Sequence, residues 1–169
     1  REPRTLVLCF DGTADEYGAQ NTNVVKLYSL LAKDHVEDQL CYYQAGIGTY
    51  FQPGVVKPVF RFAARVLDEA FAWYLPEHVI NGYTFLMQNY NEGDRVCLFG
   101  FSRGAYTARA LAGMLHKVGL LSKDNHEQVS FAYRMYKSEH ALSEGFKRTF
   151  ARSVPIEFLG VWCVVNLSG

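Results

Sequence analysis

Continuous apolar runs and amphipathic stretches alternate along this chain. Thr5-Leu6-Val7-Leu8-Cys9-Phe10 is unbroken by charge and ends in Asp11-Gly12-Thr13, the pattern of a strand covered on both faces and closed by a turn. Asn21-Thr22-Asn23 offers N-cap side chains, and Val24, Leu27, Tyr28 and Leu31 follow at helical spacing. A second strand over about 40–44 runs into the loop Gly46-Ile47-Gly48-Thr49. Residues 50–60, with two prolines and Gly54, read as an irregular excursion, followed by a helix over about 61–73. Pro76 suits the first turn of a separate helix, whose buried stripe is Val79, Tyr83, Leu86 and Tyr90. Asn91-Glu92-Gly93-Asp94 turns the chain into a third strand, Val96 to Phe99. An alanine-rich helix follows Ser102 to about Lys117 and stops before Gly119. Surface helices are expected over 128–137 and 144–152, and a fourth strand over 158–165. This alternation predicts an α/β fold, a mostly parallel sheet of about four strands with helices on both faces.

Composition narrows the function classes. The 169 residues suffice for one domain with a sizeable core, and 49% hydrophobic and 15% aromatic content excludes a disordered chain. Lys+Arg and Asp+Glu are equal at 17 each, so no electrostatic footprint points to nucleic acid. No apolar run reaches the ~18 residues of a membrane-spanning helix. No signal peptide is visible and the first residue is Arg1, so a piece of a longer protein is expected. Cys9, Cys41, Cys97 and Cys163 lack C-x-x-C spacing and read as reduced thiols, which favours a cytoplasmic setting. The five histidines are scattered without metal-ligand spacing. Asp11, Asp15 and Glu16 cluster near the first turn but read as solvated loop acids, so no metal or organic cofactor is expected.

The chemistry lies at Gly100-Phe101-Ser102-Arg103-Gly104, between the third strand and the alanine-rich helix. Strand, Gly-x-Ser-x-Gly, helix is the arrangement of a nucleophile elbow, in which a tight turn lifts one serine hydroxyl above the carboxyl end of the sheet. The Arg103 N–H, at the positive end of the helix, is one candidate donor to an oxyanion. The Asp11-Gly12-Thr13 turn is placed to supply the other, with Gly12 and Thr13 the candidates. The competing reading is an ordinary strand-turn-helix in which Ser102 only caps the helix. Tyr50, Phe51, Val55, Val56, Phe60 and Phe62 offer an apolar wall for an acyl chain, though core packing explains most such residues.

Four ordered motifs carry a resemblance over nearly the whole chain. They are Leu8-Cys9-Phe10-Asp11-Gly12-Thr13, Asn21-Thr22-Asn23-Val24-Val25-Lys26-Leu27, Tyr43-Gln44-Ala45-Gly46-Ile47-Gly48-Thr49, and Gly93-Asp94 through Gly104-Ala105-Tyr106-Thr107-Ala108-Arg109-Ala110-Leu111-Ala112-Gly113. They resemble the catalytic domain of the type VI secretion phospholipase effector-like family of α/β hydrolases. The resemblance implies a partial α/β-hydrolase fold, a serine esterase or lipase with Ser102 as nucleophile, and an acyl ester or lipid as substrate. It also implies that the first strand lies beside the elbow strand, so that the two turns share an oxyanion hole. Where the family's sixth strand carries an aspartate, the expected triad acid, this chain has Cys163 after Gly160-Val161-Trp162. No histidine follows Cys163, although the usual order places one after the acid. The expectation is one domain over 1–169, incomplete at its C-terminus. The alternative to an esterase is an inactive hydrolase-fold protein or binding module lacking the triad acid and histidine.

Overall fold

The computed structural model describes residues 2–12, 21–46 and 60–162. In chain order the elements are β1 (Thr5–Phe10), α1 (Asn23–Leu30), β2 (Gln39–Gln44), α2 (Phe60–Asn89), β3 (Arg95–Phe101), α3 (Arg103–Val118), β4 (Leu120–Leu121), α4 (His126–Lys137), α5 (His140–Phe150), β5 (Ala151–Arg152) and β6 (Ile156–Trp162). Four strands form one sheet in the order β2-β1-β3-β6, every neighbouring pair parallel. Parallel neighbours need helical crossovers, and these cover both faces.

The period-2 alternation of each strand sorts its side chains between two apolar layers. Leu6, Leu8 and Phe10 of β1 join Val96 and Leu98 of β3 in the larger layer, packed against Val79, Tyr83, Leu86 and Met87 of α2 and Ala108, Leu111 and Leu115 of α3. The stripe expected on the second half of α2 is buried there in full. Val7 and Cys9 point the other way, onto Val24 of α1, with Leu27, Tyr28 and Leu31 around them. The Thr22 hydroxyl starts α1 by accepting from the Val25 N–H at 3.1 Å.

Several elements differ from the sequence reading, among them the surface helices, which run over His126–Lys137 and His140–Phe150 instead of 128–137 and 144–152, with Ala151 and Arg152 in β5. The chain from Phe60 to Asn89 is one helix that runs through Pro76, not two. A proline removes one backbone donor and crowds the carbonyl four residues back, a cost of ~3 kcal/mol that tertiary packing can override. Burial of Val79, Tyr83, Leu86 and Met87 supplies such packing. The last strand begins two residues earlier, at Ile156, and residues 163–165 lie outside the described residues. The short antiparallel pair β4–β5 was not foreseen, because two-residue strands carry no periodicity.

The amino end of the sheet is fastened by a buried ion pair. The Arg4 Nε donates to Asp94 Oδ2 at 3.1 Å, and the Arg4 and Asn91 N–H groups donate to the same carboxylate at 3.2 and 2.9 Å. Arg4 also donates to the Asn89 carbonyl at the end of α2. This fixes the approach to both central strands, and so the positions of the turns at their other ends.

Candidate functional site

β1 and β3 are adjacent, with Phe10 opposite Gly100. The turns that follow them therefore leave the same end of the sheet side by side. Ser102 sits at the second turn with φ 53° and ψ −118°, a positive-φ conformation that costs a non-glycine residue about 1–3 kcal/mol. Its N–H donates to the Trp162 carbonyl of β6 at 2.8 Å, and its carbonyl accepts from the Ala105 N–H at 3.0 Å. These bonds hold the strained residue between the edge strand and the first turn of α3. The hydroxyl of Ser102 makes no capping hydrogen bond, which removes the reading of this serine as a helix cap.

The flanking glycines are required by contact with backbone. A Cβ on Gly100 would meet the Gly104 carbonyl, with the carbonyl carbon at 2.6 Å. One on Gly104 would meet the Phe10 carbonyl and lie 2.7 Å from the Asp11 oxygen. Backbone cannot swing aside as a side chain can, so both positions exclude any larger residue. The second contact ties the start of α3 directly onto the end of β1.

The first turn comes equally close to Ser102. A Cβ on Gly12 would lie 3.1 Å from the Ser102 Cβ and 3.0 Å from the Phe101 ring. Asp11, just before it, is 5% exposed and accepts from three elements. The Gly12 N–H donates to Oδ1 at 2.8 Å; the Thr22 and Tyr43 hydroxyls donate to Oδ2 at 3.0 and 2.7 Å. The Asp11 N–H in turn donates to the Gln44 carbonyl at 2.9 Å. Asp11 is thus not the solvated loop acid expected from sequence. Burial, with the hydrogen bond to Asp11 second, pushes the Tyr43 phenol well above its ordinary value, so it stays a donor.

The structure brings Ser102, Arg103 and Gly12 together, with Arg103 opening α3. Thr13, Asp15, Glu16, Cys163, the loop from Ile47 to Thr49 and the apolar stretch Tyr50 to Val56 lie outside the described residues. His126 pairs with Gln88 at 2.7 Å, and burial lowers the half-buried His78 against an upward pull from Glu77. His116 stands fourteen residues along α3 from Ser102, about 20 Å at the helical rise. Among the described residues no group of three or more His, Cys, Asp or Glu is arranged to hold a metal ion. Nor is any helix there long and apolar enough to cross a membrane.

What the sequence reading missed is the Asp11–Thr22–Tyr43 cluster. Thr22 was visible as a cap, but its second role, donating to Asp11, depends on α1 starting beside the end of β1. The strand pairing that sets Phe10 opposite Gln44 brings Tyr43 alongside.

Residues 4–169 match the family model described as type VI secretion system phospholipase effector Tle1-like, catalytic domain. The chain belongs to this family. The Tle1-like domain is 41% identical to the uncharacterized protein YEL023C of Saccharomyces cerevisiae, in an alignment covering 98% of this chain and 27% of that protein. The chain thus spans 27% of the length of the curated relative it matches. No solved structure matches it.

Proposed function

We propose that this domain hydrolyses an acyl ester of a phospholipid or related lipid through a seryl acyl-enzyme at Ser102. The observation that carries the reading is the strained Ser102 backbone, φ 53° and ψ −118°, locked by two glycines that contact neighbouring backbone. Strain at one non-glycine residue, with its hydroxyl unused for capping, is what presentation of a nucleophile requires. Ser102 Oγ attacks the ester carbon, its proton passes to a base, and the carbonyl oxygen becomes an oxyanion. The Arg103 N–H faces that oxygen from the positive end of α3, and the turn after Asp11 supplies a second donor. Because the Gly12 N–H donates to Asp11 Oδ1, Thr13 is the favoured donor of that turn. The alcohol then leaves, and water releases the acid from Ser102.

Asp11 acts here as a positioning residue. Its carboxylate ties the turn to α1 and β2, and so holds Gly12 against Ser102.

A second reading is a hydrolase fold that binds lipid without turning it over. Cys163, where the resemblance expects an aspartate, favours it. A neutral thiol does not stabilise an imidazolium; loss of the acid in a serine protease lowers kcat by ~10⁴. Fatty-acid release from mixed phospholipid vesicles by the full-length protein separates the two. Release abolished by Ser102→Ala supports the first reading. Vesicle binding with no release above the Ser102→Ala background supports the second.

A further inference from the structure

α4 and α5 are amphipathic and pack on α3, with Val129 and Ala132 of α4 and Phe146 of α5 joining the larger core layer. Two lysines tie the three helices together. Lys117 of α3 donates to the Tyr136 and Ser138 carbonyls at the end of α4, at 2.9 and 2.6 Å. Lys147 of α5 donates to the His116 carbonyl of α3 at 2.7 Å. The three form one outer layer, and that layer begins at the Ser102 turn, where α3 starts.

The outward side of this layer keeps large apolar side chains in water. Leu142 is 62% exposed, Phe150 48% and Phe131 40%. They rim an apolar groove of about 320 Å³ between α4 and α5, completed by Met135, Gly145 and Phe146. The Phe131 and Phe150 rings stand 5.6 and 5.3 Å from that of Phe146, so the exposed aromatics continue outward from the core. A Cβ on Gly145 would meet nothing within 4 Å, so the groove is open. Contiguous apolar surface of this kind marks an interaction site.

Charge indicates what covers it. α3 carries Arg103, Arg109 and Lys117 and no carboxylate. α4 and α5 add Arg134, Lys137, Lys147 and Arg148 against Glu127 and Glu144, with Glu139 between the helices. The chain as a whole has a formal charge of zero, so positive charge is concentrated on this layer. Arg109, Arg134 and Lys137 are exposed. The Arg134 guanidinium carbon lies 5.3 Å from the centre of the Phe131 ring, so its stem runs along the apolar surface and its charge stays at the outside. Outward Phe and Leu side chains among cations match an anionic lipid surface, where the apolar groups enter the acyl boundary and the cations meet phosphates.

We propose that the α3–α4–α5 layer docks on an anionic phospholipid surface. Phe131, Leu142 and Phe150 enter the interface, and Arg109, Arg134 and Lys137 meet headgroup phosphates. The choice of a lipid surface over a protein one rests on the reading of this domain as a phospholipid hydrolase; docking itself needs no chemistry at Ser102. Docking on this layer brings the bilayer to the ester site, because the exposed Tyr106 stands four residues along α3 from Ser102, a rise of ~6 Å.

The test is co-sedimentation of the full-length protein, carrying Ser102→Ala, with vesicles of phosphatidylserine in phosphatidylcholine against phosphatidylcholine alone. Binding should depend on phosphatidylserine. Leu142→Ser should weaken it by about 10-fold, and Arg109→Glu combined with Arg134→Glu by about 30-fold or more. All three side chains are exposed, so an unchanged Tm shows that the variants act on docking and not on folding. No sedimentation with either vesicle, or sedimentation that survives both variants, overturns the proposal. Self-association in analytical ultracentrifugation that Leu142→Ser abolishes also overturns it, and assigns the face to a second copy. Phosphatidylserine-dependent docking by a protein whose Ser102 form releases no fatty acid supports the surface and removes the hydrolase reading, so the two fail separately.

Discussion

Replacing Asp11 by alanine removes the acceptor of three hydrogen bonds at once, from the Gly12 N–H and the Thr22 and Tyr43 hydroxyls. Hydrogen bonds to a charged group contribute about 1.5–3 kcal/mol each, a gross loss of roughly 4–9 kcal/mol. The two hydroxyls can rotate toward other acceptors, so the expected net cost is about 3–5 kcal/mol, as for other buried charges whose network is broken. For a domain of this size that lowers Tm by roughly 6–20 °C. Asp11→Asn keeps an oxygen for the Gly12 N–H, while its amide faces hydroxyls that can turn to accept; about 1–2 kcal/mol is expected. Native-state hydrogen exchange resolves the local effect. The Gly12 amide should exchange much faster in Asp11→Ala and only slightly faster in Asp11→Asn. If the turn positions a catalytic donor, Asp11→Ala also slows phosphonylation of Ser102 by about 10²-fold, the effect of displacing a positioned group by ~1 Å. A native Gly12 exchange rate and an unchanged Tm in Asp11→Ala would refute the argument.

Other consequences concern the frame around the site. Gly100→Ala and Gly104→Ala each drive a methyl group into backbone, and a loss of about 4 kcal/mol or more is expected, read as failure to yield folded protein. Tyr83→Phe removes a hydroxyl that donates to the Gly119 carbonyl at 3.0 Å and accepts from the buried Leu121 N–H at 2.9 Å. It should cost about 1–3 kcal/mol, with faster exchange at Leu121 as the local signature. Burial works to raise the Asp94 carboxyl, but hydrogen bonds from Asn91 and Arg4 and the Arg4 charge together hold it below its ordinary value of 3.8. A carboxylate depressed in the fold stabilises above its unfolded pKa and loses that contribution as pH falls through the folded one. Asp94→Asn should therefore lower Tm at neutral pH and flatten the fall in Tm below about pH 4.

How much of this was legible in the sequence follows from the range of each interaction. The strand-turn-helix around Ser102 is legible because its determinants are local: an apolar strand, two glycines that meet backbone, and an alanine-rich helix within twenty residues. The α/β alternation is legible for the same reason, and the buried stripe of α2 follows from its spacing. Pro76 misled because its local penalty is outweighed by the burial of Val79, Tyr83 and Leu86, which no local rule supplies. Asp11 misled because an Asp-Gly turn looks solvated until Thr22 and Tyr43 are brought to it, eleven and thirty-two residues away.

The central claim is that the strained serine is an activated nucleophile. Incubating the full-length protein with a fluorophosphonate and locating the adduct by peptide mass spectrometry tests it directly. The account predicts a single adduct on Ser102, lost on heat denaturation and absent from Ser102→Ala. Folded protein that takes up no phosphonate, or takes it up elsewhere with Ser102 unmodified, would contradict it.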